Sequence, residues 1–377
     1  MKKKLTVFCM TDIHNQQAML DFPTTLRSSA VSAADLAVKE FGKADLTLVG
    51  GDNISDYPNW NKSCALPKKN FLDIKKKIVD CFAAVTKEEK VLYIAGNNDM
   101  ILGDIGTDEN LPYNTTEFYY TGPMNKTLGE LSDNDCFTVR SVEKPHEYPY
   151  LNAFHYVVNG VDFIGISVDP NTAYNSHEGY YTDETLRWVD QKLCEIDPSG
   201  TKPVFVVGHL SAMYYSGDKW WESMVNGNVG LFYEVLSKHK NLFYLYGHLH
   251  GAGFVYKDFS SGAVVHMDAA AKPLDANLSS LDNQSCVPYA FTLVHMGGLR
   301  PFWHPEIEYF KNDGLTGLGG KYDKERYYPA TGTARLAQYM VFDVYGDRVV
   351  FRIRNTGDME GYSVDDKPLD YTVFFQK

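Results

Sequence analysis

The chain reads as an α/β fold with parallel strand pairing. Three observations predict it: short apolar β-rich runs, helix-like segments between them, and recurrent Asp, His or Asn residues where the runs stop. The runs are LTVFCM (5–10), DLTLVGG (45–51), KVLYIAG (90–96), VDFIGISVD (161–169), PVFVVGH (203–209), NLFYLYGH (241–248) and AVVHMDA (263–269). Most are continuous rather than alternating, as expected of strands covered on both faces.

The helix-like segments come next. Residues 24–42 place Leu26, Ala30, Ala33, Ala34, Ala37 and Phe41 at helical spacing and stop at Gly42. Residues 70–85 repeat the pattern. Residues 182–196 open with Thr182 three residues before Thr185, and Asp183 and Glu184 suit a first turn. Asn159-Gly160 between two β runs predicts a tight hairpin. Residues 104–150 show little periodicity and read as an insertion, while residues 211–228 read as an aromatic loop after a strand. Residues 297–335 are rich in Gly and Pro, and 337–355 predict a terminal hairpin around Gly346-Asp347. No internal repeat or low-complexity tract is visible.

Bulk composition bounds the function. With 377 residues, 44% hydrophobic and 22% charged, the chain has the profile of a soluble globular protein. That length fits one large α/β domain with an appendage, divided here into 1–290 and a C-terminal, β-rich extension at 291–377 packed on the same domain. The net charge of -12 weighs lightly against nucleic acid and anionic membranes, though bound cations can reverse a local field. The 6 cysteines are scattered without a CxxC pair, which suggests reduced thiols and the cytoplasm. The opening MKKKLTVFCM has too short an apolar stretch for a signal peptide, although a leader removed from a precursor stays open. No run approaches transmembrane length.

The strand exits carry the chemistry. They give Thr11-Asp12-Ile13-His14, Gly51-Asp52, Gly96-Asn97-Asn98-Asp99, Gly208-His209 and Gly247-His248-Leu249-His250. In open α/β sheets the carboxyl ends of strands are where ligands bind. Asp12 and His14, like His248 and His250, are two apart and share a face in extended chain. Singly, each residue reads as a turn residue, a loop acid or a satisfied buried histidine. Jointly they form a mixed oxygen and nitrogen set suited to Zn, Fe or Mn rather than Ca or Mg alone, and seven ligands exceed what one ion takes.

D-x-H, G-D, G-N-x-D, G-H and G-H-x-H, in that order, resemble the calcineurin-like metallophosphoesterase superfamily across residues 5 to about 270. The resemblance implies a two-sheet β-sandwich flanked by helices. It implies that Asp12, His14 and His250 hold one transition-metal ion, that Asn97, His209 and His248 hold a second, and that Asp52 bridges them. A hydroxide between the ions would then attack phosphorus in a phosphate ester.

The resemblance fails at Asn98, where the family usually has a histidine that serves the leaving oxygen, oriented by the acid at Asp99's position. An amide donates a hydrogen bond but gives up no proton at neutral pH, and a missing general acid costs about 10²–10⁴-fold. The expectation is therefore a preference for diesters or esters with good leaving groups, or a stand-in acid such as His177 in the loop NTAYNSHEGYY. The aromatic residues Tyr214, Tyr215, Trp220 and Trp221 leave a nucleotide substrate open, against the plainer reading of a packed loop. The competing functions are a phosphomonoesterase or nucleotide phosphatase, and a weakly active metal-binding scaffold for a partner. A nuclease is disfavoured by the absence of a basic stripe. His146, His155, His239, His266, His295 and His304 read as structural or surface histidines.

Overall fold

Apolar runs without alternation need cover on both faces, and two stacked sheets with outer helices supply it. A computed structural model describes residues 2–13, 33–52, 85–86, 90–97, 131–139, 150–173, 179–210, 213–216, 219–222, 227–248, 264–268, 282–283, 289–298, 338–355 and 369–377. The strands are β1 (Leu5–Met10), β2 (Leu46–Gly50), β3 (Val91–Ile94), β4 (Cys136–Val139), β5 (Tyr150–Val158), β6 (Val161–Ile166), β7 (Val204–Val207) and the pair β8 (Met213–Ser216) and β9 (Lys219–Glu222). They continue as β10 (Leu242–Tyr246), β11 (Val264–Met267), β12 (Asp282–Asn283), β13 (Phe291–His295), β14 (Gln338–Val344), β15 (Arg348–Asn355) and β16 (Leu369–Phe374). Helix α1 covers 33–41, α2 is Asp183–Ile196 and α3 is Val229–Ser237.

One sheet runs β12-β16-β15-β14-β1-β2-β3 and the other β11-β13-β10-β7-β6-β5-β4. The pairing is mixed, parallel among the strands of the α/β pattern and antiparallel at the expected hairpins. β1, β2 and β3 are parallel, as are β6, β7, β10 and β13, whereas β14 to β16 and β4 to β6 pair antiparallel along each chain. The reason is local: two-residue turns join only antiparallel strands. Asn159 and Gly160, at φ 51 and 73, make the predicted tight turn between β5 and β6.

Between the sheets lies an aromatic core. The Phe205 ring sits 5.4 Å from Phe163 and 5.2 Å from Phe243 in its own sheet, and 5.0 Å from Phe342 in the other. Truncating such a buried phenylalanine costs about 3–5 kcal/mol. Outside, α1 buries Ala33, Ala34 and Ala37, α2 buries Leu186, Val189 and Leu193, and α3 buries Phe232, Val235 and Leu236. Thr182 caps α2 by accepting from the Thr185 N–H, as the spacing predicts, and Asn228 caps α3 through the Leu231 N–H. No described helix is long and apolar enough to cross a membrane.

Two expectations are corrected. The segment 211–228 is not simply a loop, because Met213–Ser216 pairs antiparallel with Lys219–Glu222. The region 104–150 contains β4, which is a strand of the second sheet. The helix expected at 70–85 lies almost wholly outside the described residues.

Register explains why the exits meet. Met10 pairs with Val49 and Gly50 with Ile94, so β1, β2 and β3 stop at one edge. Val207 pairs with Gly165 and Leu245, and Tyr246 with His295, so the second sheet does the same. The two edges are tied: the Val168 N–H donates to the Ala95 carbonyl at 3.0 Å, and the Ala95 N–H to the Ser167 hydroxyl at 3.1 Å.

Candidate metal centre

The backbone turns sharply at these exits. Among the described residues, the non-glycine positions with positive φ are Asp12 (53°), Asp52 (50°), His248 (69°) and the turn residue Asn159. Left-handed backbone costs an L-residue about 1–2 kcal/mol and persists only where surroundings hold it. Here hydrogen bonds do so. The Asp12 N–H donates to the Gly51 carbonyl at 3.0 Å, and the Gly247 N–H to the His209 carbonyl at 3.0 Å. The His248 N–H meets the Asp12 carboxylate at 3.0 and 3.1 Å. The Thr11 hydroxyl lies 3.0 Å from both the Gly50 carbonyl and Asp12 Oδ2.

Side chains converge on this frame. Asp12, Asp52, Asn97 and His209 are all buried. His209 Nδ1 lies 2.8 Å from the Gly50 carbonyl, an acceptor only, so Nδ1 carries the proton and Nε2 is left as the donor atom. Nε2 sits 3.1 Å from Asp52 Oδ2 and 4.0 Å from Asp12 Oδ1. Asp52 is thus its nearest charged partner among the described residues. Burial alone would depress the His209 pKa, but the charge of Asp52, then Asp12 and the Gly50 carbonyl, lift it to about 9.

The neighbouring ligand atoms have the right spacing for an ion. Asp52, His209 and His248 each offer one donor atom within 4.8 Å of the others. His248 Nδ1 lies 3.1 Å from Asn97 Oδ1, and the His209 and His248 rings cross edge to face at 5.3 Å. Two donors bound to one ion at about 2.0–2.2 Å and roughly right angles stand about 3 Å apart, so both 3.1 Å pairs suit coordination. Close approach is made possible by Gly96, since a Cβ there would collide with the Asp52 carboxylate and lie 2.6 Å from its backbone N. The donor set fits a transition-metal ion. His14, Asn98, Asp99, His177 and His250 lie outside the described residues.

A family model described as calcineurin-like phosphoesterase matches residues 5–252. The chain belongs to the calcineurin-like phosphoesterase family. Its members are metal-dependent hydrolases of phosphate esters, and this chain is a phosphoric ester hydrolase of that kind. No curated protein matches it in sequence. Among solved structures it is similar to a predicted phosphoesterase from Streptococcus pneumoniae (10% identity, 99% of each chain covered, TM-score 0.31). It is also similar to a hypothetical protein from Thermus thermophilus (11%, 94% of this chain and 100% of that one, TM-score 0.37). A third is Vacuolar Protein Sorting 29 from Cryptosporidium parvum (8%, 100% of each, TM-score 0.31).

This phosphoesterase centre has neighbours that the strand-exit pattern does not reveal. His295 ends β13, beyond the matched residues, and is fully buried with its ring 4.9 Å from Tyr246. Its Nδ1 accepts the Gly297 N–H at 3.0 Å. Burial pushes its pKa down to about 4, although Asp12 pulls upward, so it stays neutral. The run FTLVH ending in histidine was the available signal. Tyr181 backs His209 with its hydroxyl and Tyr244 in turn meets Tyr181; for Tyr244 the hint was a tyrosine in a doubly covered strand, whose hydroxyl must find a partner.

Proposed function

We propose that the converging exits hold two transition-metal ions, Mn, Fe or Zn, and that the enzyme hydrolyses small phosphate diesters or esters with good leaving groups. In this reading Asp12, His14 and His250 serve one ion, Asn97, His209 and His248 the other, and Asp52 both. The observation that carries it is the cluster of Asp52, His209 and His248, whose donor atoms lie within 4.8 Å of one another, with His209 Nδ1 locked on the Gly50 carbonyl so that Nε2 faces Asp52 at 3.1 Å. When bound, such a pair of ions supplies Lewis acidity toward phosphoryl oxygens and an activated water.

The chain's own residues do the rest. His209 and Asp52 present donor atoms fixed before any ligand arrives, so little reorganisation is needed on binding. The strained backbone at Asp12, Asp52 and His248 aims three of those side chains inward. Residues 291–377, read as an extension on a 1–290 catalytic domain, enter both sheets as interior strands, β13 between β10 and β11 and β14 between β1 and β15. Asn98, following the buried Asn97, donates at most a hydrogen bond to a leaving oxygen. The alternative to that preference is a stand-in acid, for which His177, outside the described residues, is the candidate. The free thiols of Cys9 and Cys194 agree with a reducing, cytoplasmic setting.

The test is turnover of aryl and alkyl phosphates and of a bis-aryl diester with Mn²⁺. A steep fall in rate as leaving-group pKa rises is expected. A flat plot extending to alkyl monoesters would replace this reading with a phosphomonoesterase or nucleotide phosphatase, which the aromatic pair β8 and β9 leaves open. No turnover with tight Mn²⁺ binding would mean a scaffold, the reading that Asn98 favours among non-enzymes.

A further inference from the structure

The exit that carries His209 is gripped from behind by two tyrosine hydroxyls. Tyr181, just before the cap of α2, and Tyr244 in β10 are both fully buried. The Tyr181 oxygen accepts the backbone N–H groups of His209 and Leu210, each at 2.8 Å. With both acceptor positions filled, its own proton goes to the Tyr244 oxygen, 3.0 Å away. Tyr244 donates in turn to the Leu210 carbonyl. Every proton in the ring is therefore directed: Leu210 N–H to Tyr181, Tyr181 O–H to Tyr244, Tyr244 O–H back to Leu210.

Gly208 makes room for this. A Cβ there would lie 2.5 Å from the Tyr244 oxygen and 2.6 Å from that of Tyr181. Phenylalanines would fill the same apolar space but would take these partners from the His209 and Leu210 peptide groups. What the hydroxyls add is a fixed path for the two peptide groups that carry His209 and Leu210.

We propose that Tyr181 and Tyr244 are positioning residues for the metal centre. Their hydroxyl relay sets the backbone at His209–Leu210, and with it the direction of His209 Nε2 toward Asp52. This rests on His209 being a ligand, so the effect falls on the ion that His209 serves and spares the other.

The experiment titrates chelated protein with Mn²⁺, read by calorimetry and by low-temperature electron paramagnetic resonance, for wild type, Tyr181→Phe and Tyr244→Phe. Wild type is expected to take two ions with an exchange-coupled spectrum. In Tyr181→Phe one affinity falls about 10–100-fold, in the range of outer-shell changes, while the other stays as in wild type. The coupled spectrum then gives way to that of isolated Mn²⁺ at partial loading. Tyr244→Phe leaves both N–H groups bonded to Tyr181 and gives a smaller loss of the same kind, and it decides the matter if Tyr181→Phe does not fold. Unchanged affinities in the variants, or equal losses at both ions, would overturn the relay while leaving the metal centre standing. Fewer than two ions in wild type would overturn the metal centre itself and this assignment with it.

Discussion

His155 and His209 are both histidines set against two aspartates, and the difference between them separates a structural cluster from a functional one. His155, on β5, spends both ring nitrogens on carboxylates, Nδ1 at 3.2 Å from Asp135 and Nε2 at 3.0 Å from Asp162. Lysines close that cluster: Lys202 lies 2.5 Å from Asp162, and Lys192 3.5 Å from Asp135. Its acids are neutralised within the cluster, and regular strand backbone carries His155 and Asp162. His209 gives one nitrogen to a backbone carbonyl and holds the other, buried, 3.1 Å from Asp52, with no lysine closing the group as at His155 among the described residues. Left-handed backbone carries both of its aspartates. Histidine–aspartate proximity alone thus marks no metal site; burial, left-handed strand exits and several donor types converging on one point together do.

The largest expected effect breaks the comparison if it fails. His209→Ala should cost more than about 10²-fold in metal-dependent turnover, beyond the usual range for residues that merely support a ligand. His155→Ala should leave turnover near wild type and lower the melting temperature by a few degrees. Phosphatase kinetics and calorimetry on the two variants check this, and the reverse pattern would exchange the roles of the clusters.

Gly96→Ala comes next. Its Cβ has nowhere to go, because backbone as well as the Asp52 carboxylate stands in the way. Mn²⁺ affinity should fall at least about tenfold as Asp52 is displaced. Isothermal titration reads the loss directly.

The smallest effect sharpens the other side. In Asp162, burial opposes ionisation, but His155 and Lys202 outweigh it and hold the carboxyl below its usual range. A folded-state pKa below the unfolded one gives stability that is present above the unfolded value of about 3.9 and lost as pH falls through the folded one. Asp162→Asn should therefore lower stability at pH 7 by about 1–2 kcal/mol, discounted because Lys202 is partly exposed, and the gap from wild type should close toward pH 3. Urea unfolding across that range is the check.

Much of the fold was legible in local patterns. The doubly buried runs of β1, β2, β3, β6, β7, β10 and β11 betray themselves by lacking alternation, and Asn159-Gly160 betrays its turn. What stayed hidden was long-range or weakly patterned. Nothing local says that β14 lies beside β1, because that pairing joins residues more than three hundred positions apart. β4 is short and half-exposed, with no alternation to detect. The β8–β9 pair was overshadowed by its aromatic residues, although Gly217-Asp218 between two aromatic runs is itself a hairpin signal. At the site, the residue types at the exits were legible, because glycine followed by Asp, Asn or His recurs there. The left-handed turns at Asp12, Asp52 and His248 were not, because they arise from contacts between exits rather than from any one of them.

The most direct test of the central claim is anomalous diffraction at the manganese edge from crystals grown with Mn²⁺. The account predicts two peaks about 3.5–4 Å apart, one within about 2.2 Å of His209 Nε2, with Asp52 touching both. No peak beside His209, with phosphate-ester turnover surviving exhaustive chelation, would contradict it.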